Sequence, residues 1–357
     1  MVQRGKFNGV GLVKPEALMA RVRSKNTAEA LARKANYGLA ASTKESYQTA
    51  VNHLNRCEEE TGADMALPFN DNQTMEFIGW MEARGLKSRS MSTYLSGVRA
   101  IHIASGYKDP FLRDPLVKLI LKGQDNWDKL QDRLSGKIGK LPVTKDIMML
   151  IKKNLIKAKW SNLEKRLLWA IFTIAWSGSF RIHELCSRSA AEYDSQTTLL
   201  WRDVTFSEIK LSGETIQSVS VHVKSPKVDT IGAGDCIQVF QLNNYMCPIE
   251  AMKKYRKESK LQEEPEMPVF RNANGMCMSG AELNKKLAIL TSEMSSIVPG
   301  GTIKSHSFRS GVPSEMAKKG ESTESIQAVG RWKSDAYKAY IKVPLVRRAA
   351  LARSVGQ

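Results

Sequence analysis

Residues 167–176 constrain the fold more than any other stretch of this 357-residue chain. All ten are apolar except Thr173. A helix that crosses a bilayer needs about 20 such residues, so this run is too short to span a membrane. We therefore interpret residues 163–177 as an apolar helix of a soluble protein. The polar sequence Ser177-Gly178-Ser179-Phe180-Arg181 follows at once, so the helix leads directly into an arginine.

The charge balance favours a polyanionic partner. The chain carries 54 Lys and Arg residues against 36 Asp and Glu residues, a formal net charge of +18. Nucleic acid is the commonest partner of so basic a chain, and we expect a nucleic-acid partner. An anionic membrane surface usually requires a compact basic amphipathic helix or a lipidation signal, and the sequence shows neither. We expect no membrane partner and no small-molecule substrate.

The cysteines and the N-terminal segment favour an intracellular protein. The five cysteines are scattered and never spaced as CxxC, which argues against a disulfide framework and a zinc site. The N-terminal segment is basic but has no apolar core, so no secretory signal is expected. We expect no metal and no other cofactor. The protein would act in the nucleus of a eukaryote, or otherwise in the cytoplasm or nucleoid.

Composition divides the chain into four segments. Residues 1–39 contain eight Lys or Arg and two Glu, and we interpret them as a basic arm, flexible or partly helical. Residues 40–123 have helical apolar spacing and form the first predicted domain. Residues 124–140 are polar and contain glycine, which is typical of a linker. Residues 141–357 form the second predicted domain.

The second domain contains the only strand signals. Short segments at 199–201, 218–223 and 237–240 are strand-like and separated by glycines, whereas helical spacing dominates elsewhere. The predicted fold class is therefore α+β, mainly α with a small β-sheet in the second domain.

Apolar residues at near-helical spacing predict a helix from Ser90 to Gly106, and candidate DNA contacts lie around its start. Four polar side chains occupy or adjoin its first turn: Lys87, Arg89, Ser90 and Ser92. Such groups contact phosphates from a helix N-terminus, although a solvated polar turn is the alternative interpretation. Arg99 and Lys224 are further candidates for DNA contacts.

Cleavage of a DNA phosphodiester without a metal sets chemical requirements that the sequence can be searched for. Cations must hold the non-bridging oxygens, a nucleophile must attack in line, and a proton must reach the leaving 5′-oxygen. Arginine suits the first role because its fork binds phosphate bidentately and keeps its charge. Lysine suits the acid role because desolvation near other cations lowers its pKa. A tyrosine nucleophile retains the energy of the broken bond in a covalent link.

Two arginines and a histidine meet the first requirement. Arg181 and Arg309 would hold the phosphate oxygens. His306 lies one helical turn before Arg309 and would point at the same site. Glu184 would orient Arg181 or a neighbour instead of transferring a proton.

The remaining roles fall to three residues in the second half of the chain. Trp332 would supply an N–H and apolar packing, and Tyr340 would attack phosphorus. Lys227 follows the strand-like segment 218–223, in a hairpin position able to reach into a minor groove. It is the candidate acid.

Five separated stretches resemble the catalytic signature of the tyrosine recombinase/integrase superfamily: GSFRIHEL, VHVKSPK, HSFRSG, VGRW and YI. In that family the first arginine lies in G-x-x-R-x-x-E-L and the second in H-x-x-R, and His or Trp precedes the terminal Tyr. The phage Cre recombinase has Trp at this third place, where Trp332 lies here. The ending GRWKSDAYKAYI looks most like the Crypton and DIRS-like recombinases of eukaryotic mobile elements.

The resemblance covers roughly residues 40–350 and implies an architecture and an activity. By this resemblance, residues 40–123 would be the DNA-binding (core-binding) domain and residues 141–357 the catalytic domain with its C-terminal tail. The two domains would form a C-shaped clamp around duplex DNA. Four protomers on two DNA sites would break and rejoin strands through a 3′-phosphotyrosine, without metal or nucleotide cofactor. The reaction would serve the movement of a mobile element.

Several assignments stay open. Lys224 competes with Lys227 for the acid role, and Tyr337 competes with Tyr340 for the nucleophile. The tail 343–357 could pack into a neighbouring protomer or close its own domain. The alternative functions are a recombinase-derived DNA-binding protein that no longer cleaves, a type IB-like topoisomerase, and a basic scaffold protein.

Overall fold

The computed structural model describes residues 13–19, 21–39, 41–111, 114–136, 139–224, 234–259, 263–293, 301–332 and 335–339. The chain divides into two compact units, Met1–Ser135 and Gly136–Gln357. Each unit has its own large hydrophobic core.

The described part of the first unit is helical. Its helices are α1 Glu16–Met19, α2 Lys25–Tyr37, α3 Ala41–Thr61, α4 Asp71–Ala83, α5 Ser88–Ala104 and α6 Pro115–Leu134. Polar side chains fix where two of them begin. Asn70 and Gln73 form a capping box at α4, with bonds of 2.9 and 2.8 Å between each side chain and the other residue's backbone N–H. Asp114 caps α6 by accepting the Leu116 N–H at 2.8 Å.

Helices α3, α4 and α5 supply most of the core of the first unit. Phe77, Met81 and Met91 are fully buried there. Helices α3 and α5 approach closely at Gly97, where an added Cβ would lie 2.6 Å from the Cβ of Ala50. Only a residue without a side chain allows this close contact.

The predicted linker, 124–140, differs from the structure at residues 124–134. They form the second half of α6 and belong to the first unit, which ends at Ser135. The polar side chains that suggested a linker have a structural role, since Asp128 accepts the Ser88 N–H at the start of α5 at 2.7 Å. A carboxylate in this position stabilises a helix N-terminus.

The segment predicted as a basic arm, 1–39, contains α1 and α2 within its described residues. Ala28 and Ala32 of α2 are buried. The Asn36 side chain exchanges two hydrogen bonds with the backbone of Val13, at 2.8 and 2.7 Å. These contacts tie the described residues 13–19 to helix α2.

The described part of the second unit mixes helices with short strands. The helices are α7 Lys145–Lys157, α8 Asn162–Ser177, α9 Pro248–Ser259, α10 Gly280–Leu290, α11 Gly311–Lys319 and α12 Thr323–Val329. The strands are β1 Gly139–Lys140, β2 Val204–Leu211, β3 Glu214–Val223, β4 Asp235–Phe240 and β5 Gly301–Thr302. Short 3-10 turns lie at Ile182–Glu184, Trp201–Asp203, Ser305–Phe308 and Asp335–Ala339.

Helix α8 is the centre of the second unit. Every residue from 167 to 176 is buried, as expected of a helix that is apolar on all sides. Helices α7, α9 and α11 pack against it. The Trp176 indole N–H donates to the Val143 carbonyl at 2.8 Å, which satisfies the polar atom of a buried ring. The helix predicted over 163–177 is confirmed.

Strands β2, β3 and β4 form an antiparallel sheet in that order. Val219 and Val221 of β3 face the core and pair with Val239 and Ile237 of β4. The strand-like segments 218–223 and 237–240 lie within β3 and β4.

The segment predicted as a strand at 199–201 forms only an isolated antiparallel bridge and does not join the sheet. Leu200 pairs with Pro268, and the Leu199 carbonyl accepts the Val269 N–H at 3.1 Å. Residues Trp201–Asp203 form a 3-10 turn, and the sheet begins at Val204. The Asp203 side chain holds this turn by accepting the Leu200 N–H at 2.8 Å.

The predicted fold class is confirmed, since the chain is mainly α with a small antiparallel sheet in the second unit. A separate parallel pairing joins β1 to β5, with Gly139 opposite Gly301 and Lys140 opposite Thr302. Among the helices described, none is long and apolar enough to cross a membrane.

Candidate active site

The end of α8 places Arg181. Gly178 follows the helix, and Ser179 has a φ of 49°, in the left-handed region that residues with side chains rarely adopt. Such strained backbone is concentrated at functional sites. Arg181 follows two residues later and begins the 3-10 turn Ile182–Glu184.

Glu184 is a buried carboxylate that binds two arginines. Its side chain is 0% exposed, and its oxygens accept from Arg181 Nη1 at 2.8 Å and Arg331 Nη2 at 2.7 Å. The Arg181 backbone N–H also donates to it at 2.8 Å. Burial raises the pKa of this carboxyl, but the guanidiniums of Arg331 and Arg181 outweigh burial and hold the pKa below its usual value. Glu184 is therefore ionised and orients Arg181.

The carbonyl oxygen of Ser179 joins a third arginine, Arg309, to Arg331. Arg309 Nη1 donates to it at 2.8 Å and Arg331 Nη2 at 3.1 Å. Arg309 is only 2% exposed, and its Nη2 donates to the Gly330 carbonyl at 2.8 Å. These bonds tie Arg309 both to the turn after α8 and to the segment containing Trp332.

The 3-10 turn Ser305–Phe308 holds His306 and Arg309 in place. Phe308 stacks on Phe172 of α8, with ring centroids 5.1 Å apart and an interplanar angle of 8°. The Ser305 N–H donates to the Asn284 side chain at 2.9 Å. Strand β5, just before this turn, pairs with β1, so the backbone that enters the turn is also held.

His306 is half-buried among cations. Burial lowers the pKa of its imidazole, and the positive charges of Lys140, Arg309 and Arg181 lower it further. Since the ordinary value is 6.5, His306 is mainly neutral at pH 7.

Trp332 lies beside Arg309. The Arg309 guanidinium carbon is 5.5 Å from the centroid of the indole, a cation–π arrangement. The indole folds back onto Gly330, where an added Cβ would lie 1.7 Å from a ring atom. Glycine is therefore required at 330. Arg331, between them, has a φ of 53°.

Lys224 is held by other parts of its own unit. Its ammonium donates to Asp203 Oδ2 at 2.6 Å, the Ser195 carbonyl at 2.8 Å and the Thr198 carbonyl at 2.9 Å. A lysine has three N–H donors, so all are engaged. This arrangement weighs against the predicted DNA contact of Lys224 and against its alternative role as the acid.

Lys227, Tyr340 and the tail 343–357 lie outside the described residues. Tyr337 lies within them. It is 6% exposed and packs in a small cluster with Ala317, Ile326 and Trp332, its ring centroid 6.3 Å from that of the indole. A tyrosine packed in this way is poorly placed to attack a substrate.

The candidate DNA contacts of the first unit differ in their surroundings. Arg89 and Ser92 are exposed, and Ser90 is half-buried. Lys87 pairs with Asp132 at 2.8 Å, and Arg99 with Asp109 at 2.6 Å. Both cations are about half-exposed, but Asp132 is 43% exposed and Asp109 only 9%. Exposed ion pairs contribute little to stability, so a phosphate could replace Asp132 beside Lys87.

The second unit thus gathers a cationic site from segments far apart in sequence. Arg181, Arg309 and Arg331 are linked through Glu184 and the Ser179 carbonyl, and His306 and Trp332 lie next to Arg309. Two of these guanidiniums bind Glu184, and Arg331 also lies 3.9 Å from Asp235, so the three arginines outnumber the carboxylates beside them. Oriented cations of this kind stabilise the charge that develops on a phosphate. No described group of three or more His, Cys, Asp or Glu is placed to hold a metal ion.

No protein-family model and no curated protein matches this sequence. Solved structures match over most of the chain. The XerH site-specific recombinase bound to a palindromic difH substrate has a TM-score of 0.58 and 11% identity, with 96% of this chain and 90% of that chain covered. A lambda integrase (75–356) dimer bound to a COC′ core site gives 0.56 and 14%, covering 86% and 91%. The Tn1549 transposon integrase with circular intermediate DNA gives 0.55 and 14%, covering 96% and 99%.

The chain has the tyrosine recombinase fold. Four predicted site residues are brought together in this recombinase fold: Arg181, His306, Arg309 and Trp332. The predicted support of Arg181 by Glu184 has its hydrogen bonds in place.

Two groups in the site of this recombinase fold are not predicted from the sequence, the Arg331 guanidinium and the Ser179 carbonyl. Arg331 lies in the motif used to find Trp332, but nothing in the motif shows that its guanidinium reaches Glu184, 147 residues earlier. The chemistry of Glu184 gives an indirect signal. A carboxylate that stays ionised when buried needs cationic partners, so a second cation beside Arg181 could be expected. Ser179 acts through its backbone carbonyl, which every residue type has, so no sequence signal exists.

Proposed function

We propose that this chain is a tyrosine site-specific recombinase that cleaves and rejoins duplex DNA through a 3′-phosphotyrosine, for the movement of a mobile element. One observation carries the proposal: in a chain with this fold, Arg181 and Arg309 are fixed around the Ser179 carbonyl and Glu184, with His306 and Trp332 alongside.

The chemistry follows from the groups in the site. Arg181 and Arg309 bind the non-bridging oxygens of the scissile phosphate and stabilise the charge that builds there. The Tyr340 oxygen bonds to phosphorus as the bond to the 5′-oxygen breaks, and Lys227 gives that oxygen its proton. The neutral His306 can accept the phenolic proton. Rejoining is the same sequence reversed.

Partners follow from charge and from the similar structures. The net charge of +18 favours a polyanion, and the XerH, lambda and Tn1549 proteins are seen in complexes with DNA. We extend to this chain a duplex DNA partner, assembly of four protomers on two sites, and action in the nucleus or nucleoid. We expect no cofactor, so cleavage should persist in EDTA.

Covalent trapping tests the proposal. Full-length protein is incubated in EDTA with nicked duplex substrates from the ends of its parent element, then resolved under denaturing conditions. We expect a denaturant-resistant adduct from the wild type and none from Tyr340→Phe. Tyr337→Phe is the matched control, since it removes the same hydroxyl three residues away, and it should keep the adduct.

Other outcomes select other functions. An adduct that persists in Tyr340→Phe but disappears in Tyr337→Phe moves the nucleophile to Tyr337. Relaxation of any supercoiled plasmid without sequence preference indicates a topoisomerase. DNA binding with no adduct from any form, on the correct site, favours a recombinase-derived binding protein.

A further inference from the structure

A cationic cavity lies on the second unit, apart from the candidate active site. Its volume is about 220 Å³, and α7, α8 and α9 contribute Lys152, Arg166, Trp169 and Lys254 to its lining. A neighbouring cavity of about 210 Å³ shares the first three of these residues. Trp169 precedes the end of α8 at Ser177 by eight residues, roughly 12 Å along the helix axis. The cavity is therefore separate from Arg181.

The three cations of the cavity have no counter-charge of their own. None of Lys152, Arg166 and Lys254 has an ion pair or a side-chain hydrogen bond within the described ranges. Lys152 instead lies over the Trp169 ring, 4.2 Å from its centroid. Glu250 also lines the cavity, but its carboxylate lies 3.6 Å from the ammonium of Lys253.

The surroundings of Lys152 disfavour its charged form. Burial lowers its pKa to about 8, and the charges of Arg166 and Lys254 contribute to the shift. A half-buried ammonium between two like charges is unfavourable, and an anion in the cavity would reverse that effect.

The geometry favours a phosphate over a carboxylate. The cations come from three different helices, so they can address several oxygens of a tetrahedral anion at once. A phosphate monoester also carries close to two negative charges at pH 7, a better match for three cations. A volume of 220 Å³ accommodates a phosphate together with the first atoms of the group that carries it.

We propose that Lys152, Arg166 and Lys254 form a phosphate-binding site on the second unit, with the Trp169 ring as one wall. The phosphate belongs either to a small phosphorylated molecule or to a DNA backbone. The site is independent of strand cleavage and of Tyr340.

Titration calorimetry with pyrophosphate tests the site on the full-length chain. We expect Lys152→Met and Arg166→Met to weaken binding at least tenfold. Lys157→Met is the matched control, because Lys157 is an exposed lysine on the same helix that does not line the cavity. It should change the affinity less than twofold. Melting curves in phosphate-free buffer establish that all three variants are folded.

DNA binding identifies the source of the phosphate. If a DNA backbone occupies the site, Lys152→Met lowers the slope of log affinity against log salt by about one, and Lys157→Met does not. If a small molecule occupies it, the slope is unchanged while pyrophosphate binding is lost.

Three results would overturn the proposal. One is an equal loss of pyrophosphate affinity in Lys157→Met. Another is equal competition by acetate at matched ionic strength. The third is unchanged pyrophosphate and DNA binding in both Lys152→Met and Arg166→Met. Pyrophosphate binding by Tyr340→Phe should match the wild type, so failure of this site is distinguishable from failure of the recombinase proposal.

Discussion

At the scale of single residues, the site depends on a carboxylate that never contacts solvent. Glu184 holds Arg181 and Arg331 at hydrogen-bond distance, and all three side chains are largely buried. Removing one partner from a buried ion network leaves uncompensated charge, which costs more than the pair itself contributes.

Glu184→Gln should therefore destabilise the second unit by about 3 kcal/mol at pH 7. Urea unfolding followed by tryptophan fluorescence measures this change. The exposed Glu208→Gln in β2 removes the same charge and should have an effect below about 0.5 kcal/mol. Similar losses in both variants would mean that the buried network contributes little.

The same network predicts a pH dependence with a definite sign. The pKa of Glu184 is held below its ordinary value of 4.5, so its contribution is fully present above that value. The contribution is lost as the pH falls through the lowered pKa. The difference in unfolding free energy between wild type and Glu184→Gln should therefore be constant above about pH 5 and shrink below 4.5. A difference that grows on acidification would contradict this assignment.

The site residues that can be predicted from the sequence are those whose side-chain type itself indicates the chemistry. Arg181, His306 and Arg309 were found because cations at short spacing suit phosphate chemistry. Arg331 was missed because its role depends on a contact with Glu184, which local spacing does not encode. Ser179 could not be found, since a strained backbone carbonyl leaves no trace in residue identity.

At the scale of elements, close helix contacts depend on glycine at some positions and not at others. Gly97 lies where α5 meets α3, and an added methyl would lie 2.6 Å from the Cβ of Ala50. Gly79, in the middle of α4, has nothing within 4 Å of the same added atom.

The same substitution should therefore have opposite effects at these two positions. Gly97→Ala should destabilise the first unit by about 1–3 kcal/mol through overpacking. Gly79→Ala should stabilise it by about 0.5–1 kcal/mol, since alanine is the better helix former. Thermal unfolding of each variant measures both effects. Equal changes at the two positions would show that helix propensity, and not the contact with Ala50, determines the effect on stability.

Helix α6 shows why polar segments are hard to assign from sequence. A linker is predicted for its second half because four of the five residues 125–129 are polar or charged. In the fold, the carboxylate of Asp128 caps a neighbouring helix. Composition cannot distinguish an exposed helix that makes such a tertiary contact from a chain without structure.

At the scale of the whole molecule, two separate cores imply two largely independent unfolding events. Phe77 is fully buried in the core of the first unit, and Phe172 in that of the second. Multidomain chains commonly depart from two-state unfolding for this reason.

Differential scanning calorimetry should therefore resolve two transitions. Phe77→Ala should lower only one of them and Phe172→Ala only the other, each variant losing about 3–5 kcal/mol of stability in its own unit. The two variants serve as controls for each other. A single transition that moves equally in both would show that the units unfold together.

The fold class could be predicted because apolar spacing separates helices from strands, and two of the three strand segments lie in the sheet. The turn at Trp201–Asp203 resembled a strand because Leu199, Leu200 and Trp201 form an apolar run. Its geometry depends on the side chain of Asp203, which hydrophobic spacing does not detect.

The pairing of β1 with β5 sets a practical limit on how a minimal catalytic fragment can be made. Gly139 and Lys140 align beside Gly301 and Thr302, and the Leu141 N–H donates to the Thr302 carbonyl at 2.9 Å. A fragment that starts at 141, where composition placed the domain boundary, would leave this backbone edge bare only four residues before His306. A catalytic fragment for expression should therefore begin upstream of Gly139, so that it keeps the strand that pairs with β5.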